Sequence, residues 1–163
     1  MNETILVVDD IKEVLDVVTQ ILKTAHYNVL QAVSGADALT VASNHVGPID
    51  LLLSDVKMPL MSGPELGDAI HIARPDTRVM FMSGFPGGFL LVLNYGWAFI
   101  EKPFVPAKLI DMVRNVLDKP NRSQGNHQFN LLENIRRKRS QINNGTSGGD
   151  QETEEPPVTK KAS

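Results

Sequence analysis

Cysteine is absent from the 163 residues, which excludes disulfides, thiolate nucleophiles and cysteine-ligated zinc or iron–sulfur sites. Its absence fits a reducing compartment. Long apolar runs are missing as well. The greasiest segment, FLLVL at 89–93, is five residues long, against the roughly 18 that a membrane-spanning helix needs. Neither sign of charge dominates: 16 Lys/Arg face 19 Asp/Glu, a net of -3, so composition does not mark a nucleic-acid-binding protein. The four histidines, His26, His45, His71 and His127, are scattered with no pair at metal-ligand spacing and read as surface or edge residues. The opening residues, MNETILVVDD, carry acids where a secretory signal carries lysine or arginine. A soluble cytoplasmic protein is the expectation.

What is present divides near position 120. Residues 1–120 are rich in Val, Leu and Ile and hold 9 Lys/Arg against 14 Asp/Glu; residues 121–163 hold 7 against 5 and are mostly polar. One domain over 1–120 and a polar tail over 121–163 are expected. In the tail, Phe129, Leu131, Leu132, Ile135 and Ile142 suggest one short helix within 126–142, marginal on its own. From Gly145 onward the only sizeable aliphatic is Val158, so residues 143–163 bury too little apolar area to offset about 1–2 kcal/mol of backbone entropy per residue and are expected to be disordered. The basic run RRKR at 136–139 suits nucleic acid, an acidic partner or a membrane, or is simply solvated.

Apolar strands and helical patterns alternate through the first 120 residues, an α/β signature. ILVV at 5–8 is a continuous aliphatic run, as in a strand covered on both faces. Asp10 then stands where a helix N-cap belongs, and Ile11, Val14, Leu15, Val18, Ile21 and Leu22 recur at helical spacing. A weaker strand spans 28–33, followed by Ser34 as a cap and a short helix through Ala38 and Ala42. Strands at 49–55, 77–83 and 98–100 follow, with helices over 63–73, closed by Pro75, and over 106–118. Five strands and five helices in strict alternation imply a doubly wound, five-stranded parallel sheet with helices on both faces.

Such a sheet binds its ligands at the carboxyl ends of the strands. The polar residues at those ends are Asp9 and Asp10, Asp55, Ser83 and Lys102. Three carboxylates brought together repel one another and call for positive charge, which a hard divalent cation supplies well; Mg²⁺ takes oxygen ligands and keeps several waters. Lys102 adds a second positive charge, and the Ser83 hydroxyl suits donation to a phosphoryl oxygen. The chemistry that fits is phosphoryl transfer onto a carboxylate. Asp55 is the best nucleophile, alone at the end of the middle strand, while Asp9 and Asp10 form an adjacent pair suited to an ion. Loop acids that merely cap helices would account for Asp10 but not for Lys102 and Ser83 at the matching strand ends.

The motifs VVDD (7–10), LLLSDVKMPLMSGPEL (51–66), VMFMSGF (79–85) and FIEKPF (99–104) resemble, in order and context, the receiver domain of bacterial two-component response regulators, the CheY-like family, in the type associated with hybrid sensor histidine kinases. The resemblance covers roughly 3–119. It implies a flavodoxin-like strand order 2-1-3-4-5. It implies that Asp55 accepts a phosphoryl group from a histidine kinase phosphohistidine, or from a histidine phosphotransfer protein, with Mg²⁺ held by Asp9, Asp10, Asp55 and the backbone carbonyl of Lys57. Lys102 and Ser83 would contact the phosphoryl group. Phe99 and Ser83 would act as the switch, and a cis bond would precede Pro103. The output would be a changed protein-binding surface near the last two helices and the fifth strand, with a homodimer as one outcome, and neither DNA binding nor membrane association is implied. Such a domain catalyses its own phosphorylation and dephosphorylation rather than turning over a small molecule.

The chain departs from the pattern between Ser83 and Glu101, where no charged residue occurs and Gly87-Gly88 weakens a helix start. A shortened or distorted fourth helix is therefore expected. Its apolar residues, with Phe89, Tyr95 and Trp97, either form a docking patch or fill space. If the altered helix abolishes switching, the domain is instead a constitutive protein–protein interaction module. The Lys57 side chain either lies over the site or points to solvent and pairs with Glu65 or Asp68.

Overall fold

A computed structural model of the chain describes residues 2–84 and 96–119. The expected fourth helix and the tail features, both the short helix in 126–142 and the disordered 143–163, lie outside these residues. Five strands are present: β1 (Thr4–Val8), β2 (Asn28–Ala32), β3 (Leu51–Asp55), β4 (Arg78–Ser83) and β5 (Ala98–Glu101). Among the described residues there are four helices, α1 (Lys12–Thr24), α2 (Gly35–Asn44), α3 (Gly63–Ala73) and α4 (Pro106–Asp118), the last being the helix expected over 106–118. The sheet is parallel throughout, in the order β2-β1-β3-β4-β5.

Alternation along the strands divides the core in two. Leu6 and Val8 of β1, with Leu52 and Phe81, pack toward α2 and α3; Ile5 and Val7, with Leu51, Leu53, Met80 and Met82, pack toward α1 and α4. Successive side chains on a strand point to opposite faces, so a strand buried on both must be apolar throughout, as β1 is. Each fully buried Leu or Ile contributes about 1.5–3 kcal/mol of transfer free energy.

Helix ends explain the boundaries. Ser34 Oγ accepts from Asp37 N at 3.1 Å and caps α2. Ser62 and Glu65 form a reciprocal capping box at the start of α3, with Pro64 in its first turn. Arg74, just past α3, donates to the carbonyls of Ala42, His45 and Gly47 and so closes the far end of α2. The expectation for α1 is corrected: Ile11, not Asp10, is its N-cap, and no side chain caps it. The Ile11 N–H is instead taken by Asp9 Oδ1 at 3.0 Å, which leaves Asp10 exposed.

In this order β1 leads to β2 on one side and lies beside β3 on the other. The chain therefore diverges at the carboxyl ends of β1 and β3, where a crevice opens. Asp9 and Asp55 emerge there.

Candidate functional site

Asp55 is the last residue of β3 and Asp9 the first after β1; both are buried, at 8% and 1% exposure. Lys102 follows β5 and reaches across the strand ends. Its Nζ donates to Asp9 Oδ2 at 2.6 Å and to Asp55 Oδ1 at 2.7 Å. Residues 93 and 47 positions apart thus meet at one ammonium, whose side chain keeps only 18% of its exposure. The other oxygen of each carboxylate is held by backbone, Asp9 Oδ1 by Ile11 N and Asp55 Oδ2 by Lys57 N at 2.8 Å. Both carboxylates are fixed in direction.

Burial works against the Lys102 ammonium, but hydrogen bonds and charge from Asp55 and Asp9 together outweigh it, and its pKa stands above the ordinary lysine value. Lys102 is therefore a cation throughout the physiological range. Ser83 ends β4, is buried at 1% exposure, and its carbonyl accepts from Lys102 N at 2.9 Å. The Lys102–Pro103 bond is cis. Phe99 is half-buried on β5, in register with Phe81 of β4. Lys57 touches Asp55 through its amide and is exposed.

Sequence reasoning missed the role of Gly63. A Cβ there would collide with the Asp55 carbonyl oxygen and lie 3.0 Å from Phe81 Cε1, while Gly63 N donates to Val56 O at 2.9 Å. Only glycine lets the first turn of α3 press against the backbone of Asp55. A glycine directly before a helix-forming run was the available signal. Trp97 is half-buried against Phe81, with ring centroids 5.3 Å apart; the indole fills space between α3 and β5.

Among the described residues no three His, Asp or Glu groups gather as a metal cage. The carboxylates that converge are Asp9 and Asp55, while Asp10 is exposed on the adjoining loop. Two carboxylates on one ammonium leave a net negative charge, and every donor is a hard oxygen. Mg²⁺ needs only one or two carboxylates when waters and phosphate oxygens complete its shell, so the residues present fit such an ion. The same arrangement suits a carboxylate nucleophile whose charge is balanced by a lysine able to follow it onto a transferred group.

Comparison with known proteins agrees with this geometry. Residues 5–114 match the family model described as response regulator receiver domain. The sensor kinase CckA of Brucella abortus is 32% identical over 121 residues; the match covers 72% of this chain and 13% of the kinase, so the chain spans only a small part of that relative's length. Among solved structures, the receiver domain of a hybrid histidine kinase CckA is 35% identical with a TM-score of 0.61, covering 71% of this chain and 99% of that one. CheY of Borrelia burgdorferi, in a complex with CheX, BeF3 and Mg, is 31% identical with a TM-score of 0.65, covering 72% and 90%. No helix among the described residues is long and apolar enough to cross a membrane. Fold, strand-end chemistry and matched length converge on one conclusion, that the chain belongs to the response regulator receiver domain family.

Proposed function

We propose that Asp55 accepts a phosphoryl group from the phosphohistidine of a sensor histidine kinase or histidine phosphotransfer protein, and that the resulting acyl phosphate changes a protein-binding surface. One observation carries the reading: a single half-buried ammonium, Lys102, bridges the buried Asp9 and Asp55 carboxylates at the diverging ends of β1 and β3. In the transfer, an Asp55 carboxylate oxygen forms a bond to phosphorus as the donor's P–N bond breaks, and the imidazole nitrogen leaves with the electron pair. The Lys57 N–H orients the carboxylate. Lys102 passes from the Asp55 oxygen to a phosphoryl oxygen, and the Ser83 hydroxyl turns to donate to another. Asp9, Asp10, Asp55 and the Lys57 carbonyl are the groups that would hold Mg²⁺, which neutralises charge on the transferring oxygens when bound. Phe99 moves inward with Ser83 to alter the surface around β5 and α4.

In this reading residues 1–120 are the receiver and 121–163 a polar tail. The chain catalyses its own phosphorylation and dephosphorylation and turns over no metabolite; it works in the cytoplasm beside its donor kinase, with self-association through the β5 face as one output. Likeness to receivers of CckA-type kinases and to a CheY solved with BeF3 and Mg supports the donor class and the cation. The test is intact mass after incubation with Mg²⁺ and phosphoramidate or acetyl phosphate. One phosphoryl group is expected on the wild type and none on Asp55→Ala. No modification by any donor, or equal modification of both proteins, would overturn the reading.

A further inference from the structure

We propose that the Trp97 indole is a second moving aromatic of this receiver's switch, displaced from its seat on Gly67 when Phe99 turns inward on phosphorylation. The proposal rests on the reading of Asp55 as phosphoryl acceptor. Trp97 and Phe99 stand two residues apart and both pack on the α3-side core, whereas Ala98 and Ile100 between and after them pack on the opposite one. They share a neighbour, Phe81, which faces Phe99 in the β4–β5 register and lies 5.3 Å from the Trp97 ring at an interplanar angle of 57°. The indole also seats tightly on α3, its Cη2 and Cζ3 lying 2.9 and 3.0 Å from where a Gly67 Cβ would stand.

Packing decides which group yields. Phe99 already packs on this core, and protein interiors have few voids larger than a water molecule, so turning its ring deeper must displace a neighbour. Leu66, Ile70 and Phe81 are each fully enclosed at 0% exposure, and moving them would disturb the sheet or α3. Trp97 is half-buried and sits directly before β5, preceded by Gly96 at φ +66°. Among the described neighbours it is the one with somewhere to go. Phe81 also lies against Gly63, the residue that abuts the Asp55 carbonyl, so the acceptor end of β3, the first turn of α3 and the indole meet at one ring.

Trp97 is the chain's single tryptophan, so its emission reports this position without labelling. Emission and iodide quenching are recorded on the full chain with Mg²⁺ before and after phosphoramidate, with the phosphorylated fraction read by intact mass. A red shift and increased quenching that rise in proportion to the phosphorylated fraction are expected. In Phe99→Leu the mass gain should persist while the spectral change is lost. Gly67→Ala, whose methyl must push the indole, should show the shifted spectrum before any donor is added. A full mass gain with an unchanged spectrum overturns the proposal, as does an undiminished change in Phe99→Leu. Absence of any mass gain removes the Asp55 reading itself, and this inference with it.

Discussion

Removing the ammonium that bridges Asp9 and Asp55 should destabilise the fold more than an ordinary lysine substitution. In Lys102→Met the stem and its packing remain, while two buried carboxylates lose their common partner. Breaking a buried ion pair by deleting one member costs about 3–5 kcal/mol. The Lys102 side chain retains 18% exposure and the Asp55 side chain 11%, so solvent softens the penalty and the lower end, about 3 kcal/mol at pH 7, is expected. With a urea m-value of about 1–2 kcal/mol/M, that lowers the unfolding midpoint by roughly 1.5–3 M. The second half of the cycle identifies the cause. Asp55→Asn in the Lys102→Met background removes one of the repelling charges while an amide oxygen can still accept from Lys57 N, and should recover about 2 kcal/mol. Added Mg²⁺ should stabilise Lys102→Met more than the wild type, because it replaces charge the variant lacks. The reasoning fails if Lys102→Met unfolds within about 0.5 kcal/mol of the wild type, or if the double variant is no more stable than the single one.

Alkaline unfolding should carry two contributions of the same sign. The folded pKa of Lys102 is raised, as is that of Tyr27, by burial first and then Glu3 and Asp118 against an opposing Arg114. In each case the unfolded chain loses its proton first, so the stabilisation is complete below the unfolded values, about 10 for both groups, and is lost as pH rises through the folded ones. Urea unfolding between pH 9 and about 12 should show a shallower decline in Tyr27→Phe and in Lys102→Met. Gly63→Ala, which drives a methyl into the Asp55 carbonyl, should cost about 1–3 kcal/mol or more by thermal unfolding and slow phosphorylation by small donors. Arg74→Lys keeps the charge but not the planar fork that reaches the Ala42, His45 and Gly47 carbonyls; a loss of about 1.5–3 kcal/mol and faster amide exchange at the end of α2 are expected.

Much of this architecture is legible in the chain because local chemistry and tertiary burial agree. The aliphatic run at 5–8 can be satisfied only by a strand covered on both faces, and β1 is such a strand. The helix over 63–73 is bounded in sequence by Gly63 and Pro75 and runs over those residues. Legibility fails where long-range contacts outbid local ones. Asp10 has the residue type of a cap, yet Asp9, its carboxylate anchored by Lys102 from 93 residues away, takes the Ile11 N–H. The Arg74 clamp on α2 leaves no periodic trace for the same reason, whereas the positive φ of His26 (67°) and Leu60 (66°) belongs to local turns closed by Tyr27 N on Leu22 O and by Met61 N on Pro59 O. At the site, the residue types and their strand-end positions are readable. That one ammonium serves two carboxylates, and that Gly63 is a glycine because α3 abuts the Asp55 carbonyl, emerges only when the strands lie side by side.

The central claim is that Asp55 is the group that carries the phosphoryl. Borohydride reduces an aspartyl phosphate to homoserine, so the site can be read directly by peptide mass mapping after the protein is treated with Mg²⁺ and phosphoramidate and then reduced. Homoserine at position 55, absent when Lys102→Met is treated for the same time, is predicted. Reduction product at any other carboxylate, or a stable phosphoryl group recovered on a histidine with position 55 unmodified, would contradict it.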